Sequence, residues 1–410
     1  MNENSSIFDV AVVGGGPAGL AAAIALAQSG ANTALVARCS PYADNRTTAL
    51  LGGSIDFLQR LEVWPTCKAR AAELRVMRLV DDTDRLIRAP EVKFSCDEIG
   101  LDVFGYNIEN RTLVSALEER AAVQSALTRF DDEAAKIHCM EDSVAIALVS
   151  GKSLSARLVV AADGRHSLCR EAAGIKVRHR DLGQAALTFN VGHSRSHRNI
   201  STEFHTTHGP CVFVPLPGDR SSVVWVSEPG EVDQLMALSD EGLSEAAEAR
   251  SHSILGRMCV EPGRSRFPLV IEQPLSFAKA RVALVGEAAH VVPPIGAQGL
   301  NMGLRDAADI ADIIREALAA GEDPGSGGVL GRYASARRPD VVSRTLAIDL
   351  ANRSLLSAFL PVQSLRAGGL HLIGSFGPLR RLAMREGLAP SWRASQAARG
   401  ARETPAGRSE

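Results

Sequence analysis

The first forty residues alternate between two hydrophobic rhythms. Ile7 to Val13 is a short apolar, β-branched run, the pattern of a strand covered on both faces. An Ala- and Leu-rich helix follows and ends near Gly30, a residue suited to the position just past a helix C-terminus. Thr33 to Val36 reads as a second strand. Pro41 to Leu50 reads as a polar loop running into a helix, and Val76 to Asp81 and Arg85 to Ala89 as two strands joined by the turn Asp82-Thr83-Asp84. Gly105 to Arg120 suggests a loop and then an amphipathic helix, with Leu113, Ala116, Leu117 and Arg120 at helical spacing. Arg157 to Gly164 is another apolar strand, ending in the polar corner Asp163-Gly164.

From Gln184 to about Pro268 the texture changes. Short β-type runs (Ala186 to Val191, Cys211 to Pro215, Ser222 to Val226) are separated by turns, and Leu216 to Arg220 has the composition of a hairpin link. This stretch suggests an inserted antiparallel sheet. The first texture then returns with a buried strand at Val282 to Val285 and the loop Pro293 to Gly299. A helix follows with Leu304, Ala307, Ala308, Ile310, Ala311, Ile314, Ala317 and Leu318 on one apolar stripe and a stop at Gly321. Beyond Gly328 the chain is helical in character, and after about Ala394 its composition suggests disorder.

The expected fold class is therefore α/β, a Rossmann-like nucleotide-binding domain with an inserted, mostly antiparallel sheet and a C-terminal helical segment. The expected boundaries put the nucleotide domain at 1–75, 101–180 and 273–345, sheet-domain strands at 76–100 and 181–272, C-terminal helices at 346–393 and a tail at 394–410. Charge adds little: 45 Lys+Arg against 47 Asp+Glu implies no nucleic-acid partner. There is no run of about 18 apolar residues and no secretory leader pattern. The seven cysteines are scattered and never C-x-x-C, which suits reduced thiols in a cytoplasmic protein. The histidines at 193, 197, 205 and 208 lack metal-ligand spacing and are read as exposed loop residues, so no metal is expected. Residues 364–410 carry eight Arg and three Glu among leucines. They suit either a helix packed on the core or a peripheral contact with the inner face of a membrane.

Candidate chemistry begins at Gly14, Gly16 and Gly19, which have G-x-G-x-x-G spacing between a strand and a helix. The first glycine permits the turn, the second lets a pyrophosphate approach, and the third allows close helix–strand packing. Pro17 and Ala18 open the helix, whose N-terminal amides face the anion. The acid expected about 20 residues on to hold a ribose is replaced by Ala37, followed by Arg38. Arg46 and Arg111 are candidate anion contacts. Arg111 lies in a helix first turn, where a cation is unfavourable unless an anion sits there. Asp163-Gly164 can set a carboxylate against a hydroxyl at a sharp turn. The loop through Pro293, Pro294 and Gly296 is rigid and thin, and it feeds a helix N-terminus, which suits close approach to a flat ligand.

Taken together, Gly14–Gly19, Asp163-Gly164 and Gly286–Asn301 resemble the motifs of single-component FAD-dependent aromatic hydroxylases. Within that family the chain is most similar to the ubiquinone-biosynthesis branch acting on polyprenylated phenols, over roughly residues 5 to 390. The most specific match is Gly286-Glu287-Ala288-Ala289-His290 followed by Pro293 through Asp306, with Tyr333 and Arg337-Arg338-Pro339 fitting the next helix. The resemblance implies bound FAD held by Gly14, Gly16, Pro17, Ala18, Gly19, Arg38, Arg46, Arg111, Asp163 and Gly164. It further implies that Gly286 and Glu287 hold the ribityl chain, that Gly299, Leu300 and Asn301 line the flavin ring, and that His290 is a packing residue. Glu287 stands for the usual Asp, and Ala297 for a glycine common in this branch. The implied activity is ring hydroxylation by a flavin C4a-hydroperoxide, with NAD(P)H as transient donor, O₂ as co-substrate and no assigned catalytic base. Two rivals stand beside it: a hydroxylase of a small soluble aromatic acid, and a non-catalytic scaffold of a biosynthetic complex.

Overall fold

The computed structural model describes residues 7–39, 45–83, 88–356 and 360–388. Its first sheet has eight strands. Five of them run parallel in the order Val282–Leu284, Ser153–Ala161, Phe8–Val13, Thr33–Val36 and Leu127–Phe130. Register matters more than order here. Val13 pairs with Ala161 and with Val36, and Ala161 pairs with Leu284. The strands preceding the three motifs therefore end side by side, at one level of one sheet edge. Ala134–Cys139 and Val144–Leu148 form an antiparallel meander onto Ser153–Ala161.

The Pro17–Gln28 helix is buried from Ala18 through Ala27. Its alanines let it pack both on the sheet and against the Gln298–Ala319 helix, whose apolar stripe is buried at Leu304, Ala307, Ile310, Ala311, Ile314 and Ala317. At the crossing, a Cβ on Gly303 would lie 3.1 Å from the Ala18 Cβ, so the missing side chain sets the approach. The Gly327–Leu356 helix continues through Pro339, and its Tyr333 hydroxyl donates to the Leu284 carbonyl at 2.6 Å.

The second sheet is antiparallel except where Ile200–His205 runs parallel to Val76–Asp81. Its order is Met258–Val260, Val177–His193, Arg220–Ser227, Pro210–Leu216, Ile200–His205, Val76–Asp81 and Val92–Ser95, with Ser265–Pro274 also on Val177–His193. Val177–His193 crosses the expected 180/181 boundary as one strand, bulged between Asp181 and Gln184.

Three expectations are corrected. Of the expected loop and helix at 41–50, residues 41–44 lie outside the described residues, and Thr47–Leu51 is a strand, paired with Gly105–Glu109, which had also been expected as loop. Their signal is nonlocal, since a Cβ on Gly105 would lie 2.0 Å from the Leu50 carbonyl oxygen. The partner of Val76–Asp81 is Val92–Ser95, beyond Pro90; of the expected strand 85–89, Arg88 and Ala89 are not in a strand and 85–87 lie outside the described residues. Finally, His193 and His205 are buried at strand ends, while His197 is half-buried and His208 exposed.

Among the described residues no group of three or more His, Cys, Asp or Glu could hold a metal, and no helix is long and apolar enough to cross a membrane. All seven cysteines are free thiols. The Gly377–Leu388 helix packs through Met384 on Cys96 and Phe104, and Arg380 donates to Glu98 at 2.6 Å. The expected tail after 394 lies outside the described residues.

Candidate functional site

The first corner follows Val13. Gly14 has φ +117°, and a Cβ there would sit 2.2 Å from the Ala162 carbonyl oxygen, at the second corner. Gly19 is as constrained, its Cβ falling 2.2 Å from the Gly14 oxygen. Gly16 differs: its φ is −69° and nothing lies within 4 Å of the Cβ position. It is the helix N-cap, with no side-chain capping bond and no acid in the first turn. Two glycines are required by the fold, and the third leaves open space in front of unpartnered amides. That is the shape a pyrophosphate needs.

The second corner follows Ala161, and the Ala162 N–H donates to the Val13 oxygen at 2.8 Å. The Asp163 carboxylate is used within the turn, accepting from the Ser167 hydroxyl at 2.5 Å and the Cys169 N–H at 3.0 Å, with Gly164 at φ +80°. A residue not identified from sequence completes it. Buried Arg170 donates to the Arg165 oxygen at 2.6 Å and to the Ala288 oxygen at 3.0 Å, tying the second corner to the third. Its partner lies 118 residues away, so no local pattern exposes it.

The third corner follows Leu284. Gly286 has φ +64°, and its Cβ would lie 3.2 Å from the Ala18 Cβ. Buried Asp306 accepts from the Gly286 N–H at 3.0 Å, from His290 Nε2 at 2.7 Å and from Arg337 Nε at 2.6 Å. Burial pushes the Asp306 carboxyl up, but the neighbouring His290 and Arg337 outweigh it and the net direction is down. Arg337 is fully buried and also meets Asp309 at 2.6 Å and Asp340 at 2.8 Å. His290 is thus a packing and hydrogen-bonding residue, as expected. Glu287 is exposed on the Gly286–Ala288 turn, with no ion pair among the described residues.

Ala297 adopts φ +54° as N-cap of the next helix, which explains why a glycine suits this position. Asn301 has no exposed surface, and all its hydrogen-bonding capacity is internal. Its oxygen accepts from Leu51 N–H at 3.0 Å and the Ser54 hydroxyl at 2.6 Å; its amide donates to Ala49 O at 2.8 Å and Ala297 O at 2.6 Å. The side chain is a clamp between the corner and the Ala49–Ser54 segment. Pro293 is buried, while Pro294 is half-buried and Gly296 exposed.

The arginines divide. Arg46 lies over the Phe267 ring at 5.8 Å, and its carbonyl accepts from Asn110 N–H at 2.9 Å, placing it beside the Arg111 helix. Arg111 pairs with Glu109 at 2.7 Å, so the protein itself supplies the anion that its helix position calls for. Arg38 pairs with Glu133 at 3.3 Å on the surface. Ala37 is buried, its Cβ 2.9 Å from where a Gly15 Cβ would stand.

Alternation gives the antiparallel sheet two faces. One carries Leu187, Phe189, Phe213, Val223 and Trp225 under the helices Pro229–Ala237 and Asp240–Arg250. The other carries Ala186, Val224, Val226, Phe267 and Leu269. Arg46 over Phe267, and Asn190 Nδ2 donating to Asn45 O at 3.3 Å, set this second face beside the nucleotide-binding arm.

A Rossmann-type cradle facing an apolar antiparallel sheet defines the flavin-dependent monooxygenase class. A family profile described as an FAD binding domain matches residues 8–346, and the chain belongs to that family; FAD is its cofactor. It is 33% identical over 391 residues to ubiquinone hydroxylase UbiL of Rhodospirillum rubrum, covering 93% of this chain and 90% of that protein. It is 29% identical to the 3-demethoxyubiquinol 3-hydroxylase of Escherichia coli, covering 93% and 98%. The crystal structure of p-nitrophenol 4-monooxygenase PnpA from Pseudomonas putida shares the fold, with a TM-score of 0.77, 20% identity and coverage of 93% and 98%. The resemblance drawn from the motifs is borne out.

Proposed function

We propose that this protein hydroxylates the aromatic ring of a polyprenylated phenol in ubiquinone biosynthesis, with NAD(P)H as electron donor and O₂ as co-substrate. The observation that carries this reading is the level register of Val13, Ala161 and Leu284, which brings three ligand-binding corners together opposite an apolar sheet face. Bound FAD supplies reduction by the nicotinamide and activation of O₂ for transfer to an electron-rich ring.

The chain's own residues bind, orient and exclude water. Gly16, Pro17 and Ala18 at the helix N-terminus hold the pyrophosphate, with Gly14 and Gly19 fixing the turn. Gly286 and Glu287 hold the ribityl hydroxyls. Asp163 and Gly164 shape the wall between them, and Arg46 reaches the nucleotide arm, flanked by Arg38 and Arg111. The helix-end amides of Gly299 and Leu300, fixed in place by the Asn301 clamp, would face the flavin ring and favour negative charge on it, and Pro293, Pro294 and Gly296 would wall the reacting face. The face of Ala186, Val224, Val226 and Phe267 covers the phenol ring. Its apolar character supports a prenylated substrate over a small acid, which needs a cation for its carboxylate.

Such a substrate lives in a bilayer. Val342, Leu346 and Leu350 form an exposed stripe at four-residue spacing, and Leu372, Phe376 and Leu382 are exposed beside Arg381 and Arg385. These support a peripheral contact with an anionic membrane face. The deciding experiment deletes the gene in its host and identifies the quinone precursor that builds up. A polyprenylated ring lacking one hydroxyl is expected. An unchanged quinone pool, or purified enzyme that turns over hydroxybenzoates and no prenylphenol, contradicts the reading.

A further inference from the structure

The face of the antiparallel sheet turned away from the cofactor cleft holds a cavity of about 450 Å³. Arg78, Arg195 and Arg198 line it, with Thr202 and Ser221. Ile200, Phe213, Ile254 and Leu255 supply an apolar wall. The geometry points to a second ligand site here, taking an organic anion that joins a phosphate-type head to an apolar body.

Three observations support this site. First, Arg78 occupies the same strand face as Val76 and Val80, and Val80 packs on the apolar core beneath the helices, so alternation alone would place an apolar side chain there. Its Nε donates to Thr202 Oγ1 at 3.3 Å, and no carboxylate meets it among the described residues. Second, Arg195 donates to the Ser253 oxygen at 3.3 Å, and neither it nor Arg198 has a carboxylate partner among the described residues. Several exposed arginines elsewhere do pair, as Arg38 with Glu133, Arg75 with Glu73 and Arg332 with Glu322. Three like charges gathered without a counter-ion cost free energy that an anion would recover.

Third, the loop that presents Arg195 and Arg198 is held in a strained shape. Arg198 and Asn199 are consecutive non-glycine residues at φ +51° and +58°, a conformation that persists only when its surroundings enforce it. His197 does the enforcing. Its Nδ1 accepts from the Asn199 N–H at 3.0 Å, which leaves the proton on Nε2, facing the Leu216 and Gly218 oxygens at 3.0 Å each. The planar guanidinium fork matches a phosphate better than a single ammonium would, and the apolar wall selects against inorganic phosphate.

The test uses the FAD-loaded enzyme and hexyl phosphate as probe, followed by titration calorimetry. Saturable binding at one site per chain is expected, with inorganic phosphate weaker and 1-hexanol silent. The double variant Arg195→Gln/Arg198→Gln, and separately Arg78→Gln, should each weaken binding by about tenfold or more, the loss expected when charge-assisted contacts are removed. Melting temperature and FAD content should not change, which separates this site from the cofactor reading. Vesicles carrying phosphatidate that sediment wild type but not the double variant assign the head to a lipid. Hexyl phosphate binding without vesicle recruitment assigns it to a free organic phosphate. Absence of saturable binding to wild type, or variants that bind as wild type does, overturns the site.

Discussion

In the parallel sheet, three chain turns leave neighbouring strands at one level and meet within a methyl group's width of one another. In the antiparallel sheet, the apolar face is assembled from alternate residues of strands drawn from positions 76 to 274, with valines (Val224 half-buried, Val226 buried) where the other sheet has glycines. The first region is specified by backbone approach, and at Gly14 and Gly19 a single added carbon is intolerable. The second is specified by polarity and area, and its side chains can be exchanged. The difference teaches where the molecule is brittle: the glycine corners depend on close packing distances, the sheet face only on a broad apolar area.

The sharpest way to break this contrast is Gly14→Ala. Its Cβ would stand 2.2 Å from the Ala162 oxygen at φ +117°. A loss of about 4 kcal/mol or more is expected, since clash and strain combine. Urea denaturation and flavin absorbance per chain measure it.

Next comes Arg337→Met, which leaves Asp306 and Asp340 buried without their shared guanidinium. Breaking a buried ion network costs about 3–5 kcal/mol. It also changes the pH profile. Burial pushes the Asp340 carboxyl up, but Arg305 and Arg337 hold it far below the usual range, and Asp306 is likewise lowered. Lowered carboxyl values contribute stability that is fully present above the unfolded value of about 4 and lost as pH falls below it. Wild type should therefore lose stability steeply below about pH 4, and the variant, already weakened at neutral pH, should show a shallower acid slope.

Asn301→Ala removes four hydrogen bonds and orphans buried partners, at about 2–3 kcal/mol. Its melting temperature should fall even without FAD, which a purely ligand-contacting residue would not cause. Two smaller changes sharpen the comparison. Val224→Ala, on the sheet face, should cost about 1 kcal/mol, raise KM for the phenol and leave FAD content unchanged. Ala297→Gly should stabilise by up to about 1 kcal/mol, because it relieves a left-handed alanine while loosening the unfolded chain; a small rise in melting temperature checks it.

The same contrast governs what could be read from sequence. Gly14–Gly19, Asp163-Gly164 and Gly286–Asn301 were legible because each is a local pattern with a backbone reason. Their convergence follows from parallel register. The strands Thr47–Leu51 and Gly105–Glu109 were not legible, since they pair with each other across more than fifty residues, and Gly105–Glu109 takes its other partner from Ala72–Leu74. Arg170 and Asn301 make the same point. One stayed hidden and the other was assigned to the ring, because their partners, Ala288 and the 49–54 segment, are distant in sequence. Arg111 was legible as a misplaced cation, but its counter-charge, Glu109, was two residues away and had been taken for loop.

The most direct measurement is FAD titration of Gly16→Leu apoprotein beside wild type. Gly16 has ordinary backbone angles and empty space at its Cβ, so the variant should fold with an unchanged apoprotein melting temperature. If the three corners enclose the flavin pyrophosphate, wild type takes up one FAD per chain and the leucine variant takes up almost none. A variant that binds FAD as tightly as wild type would contradict the account.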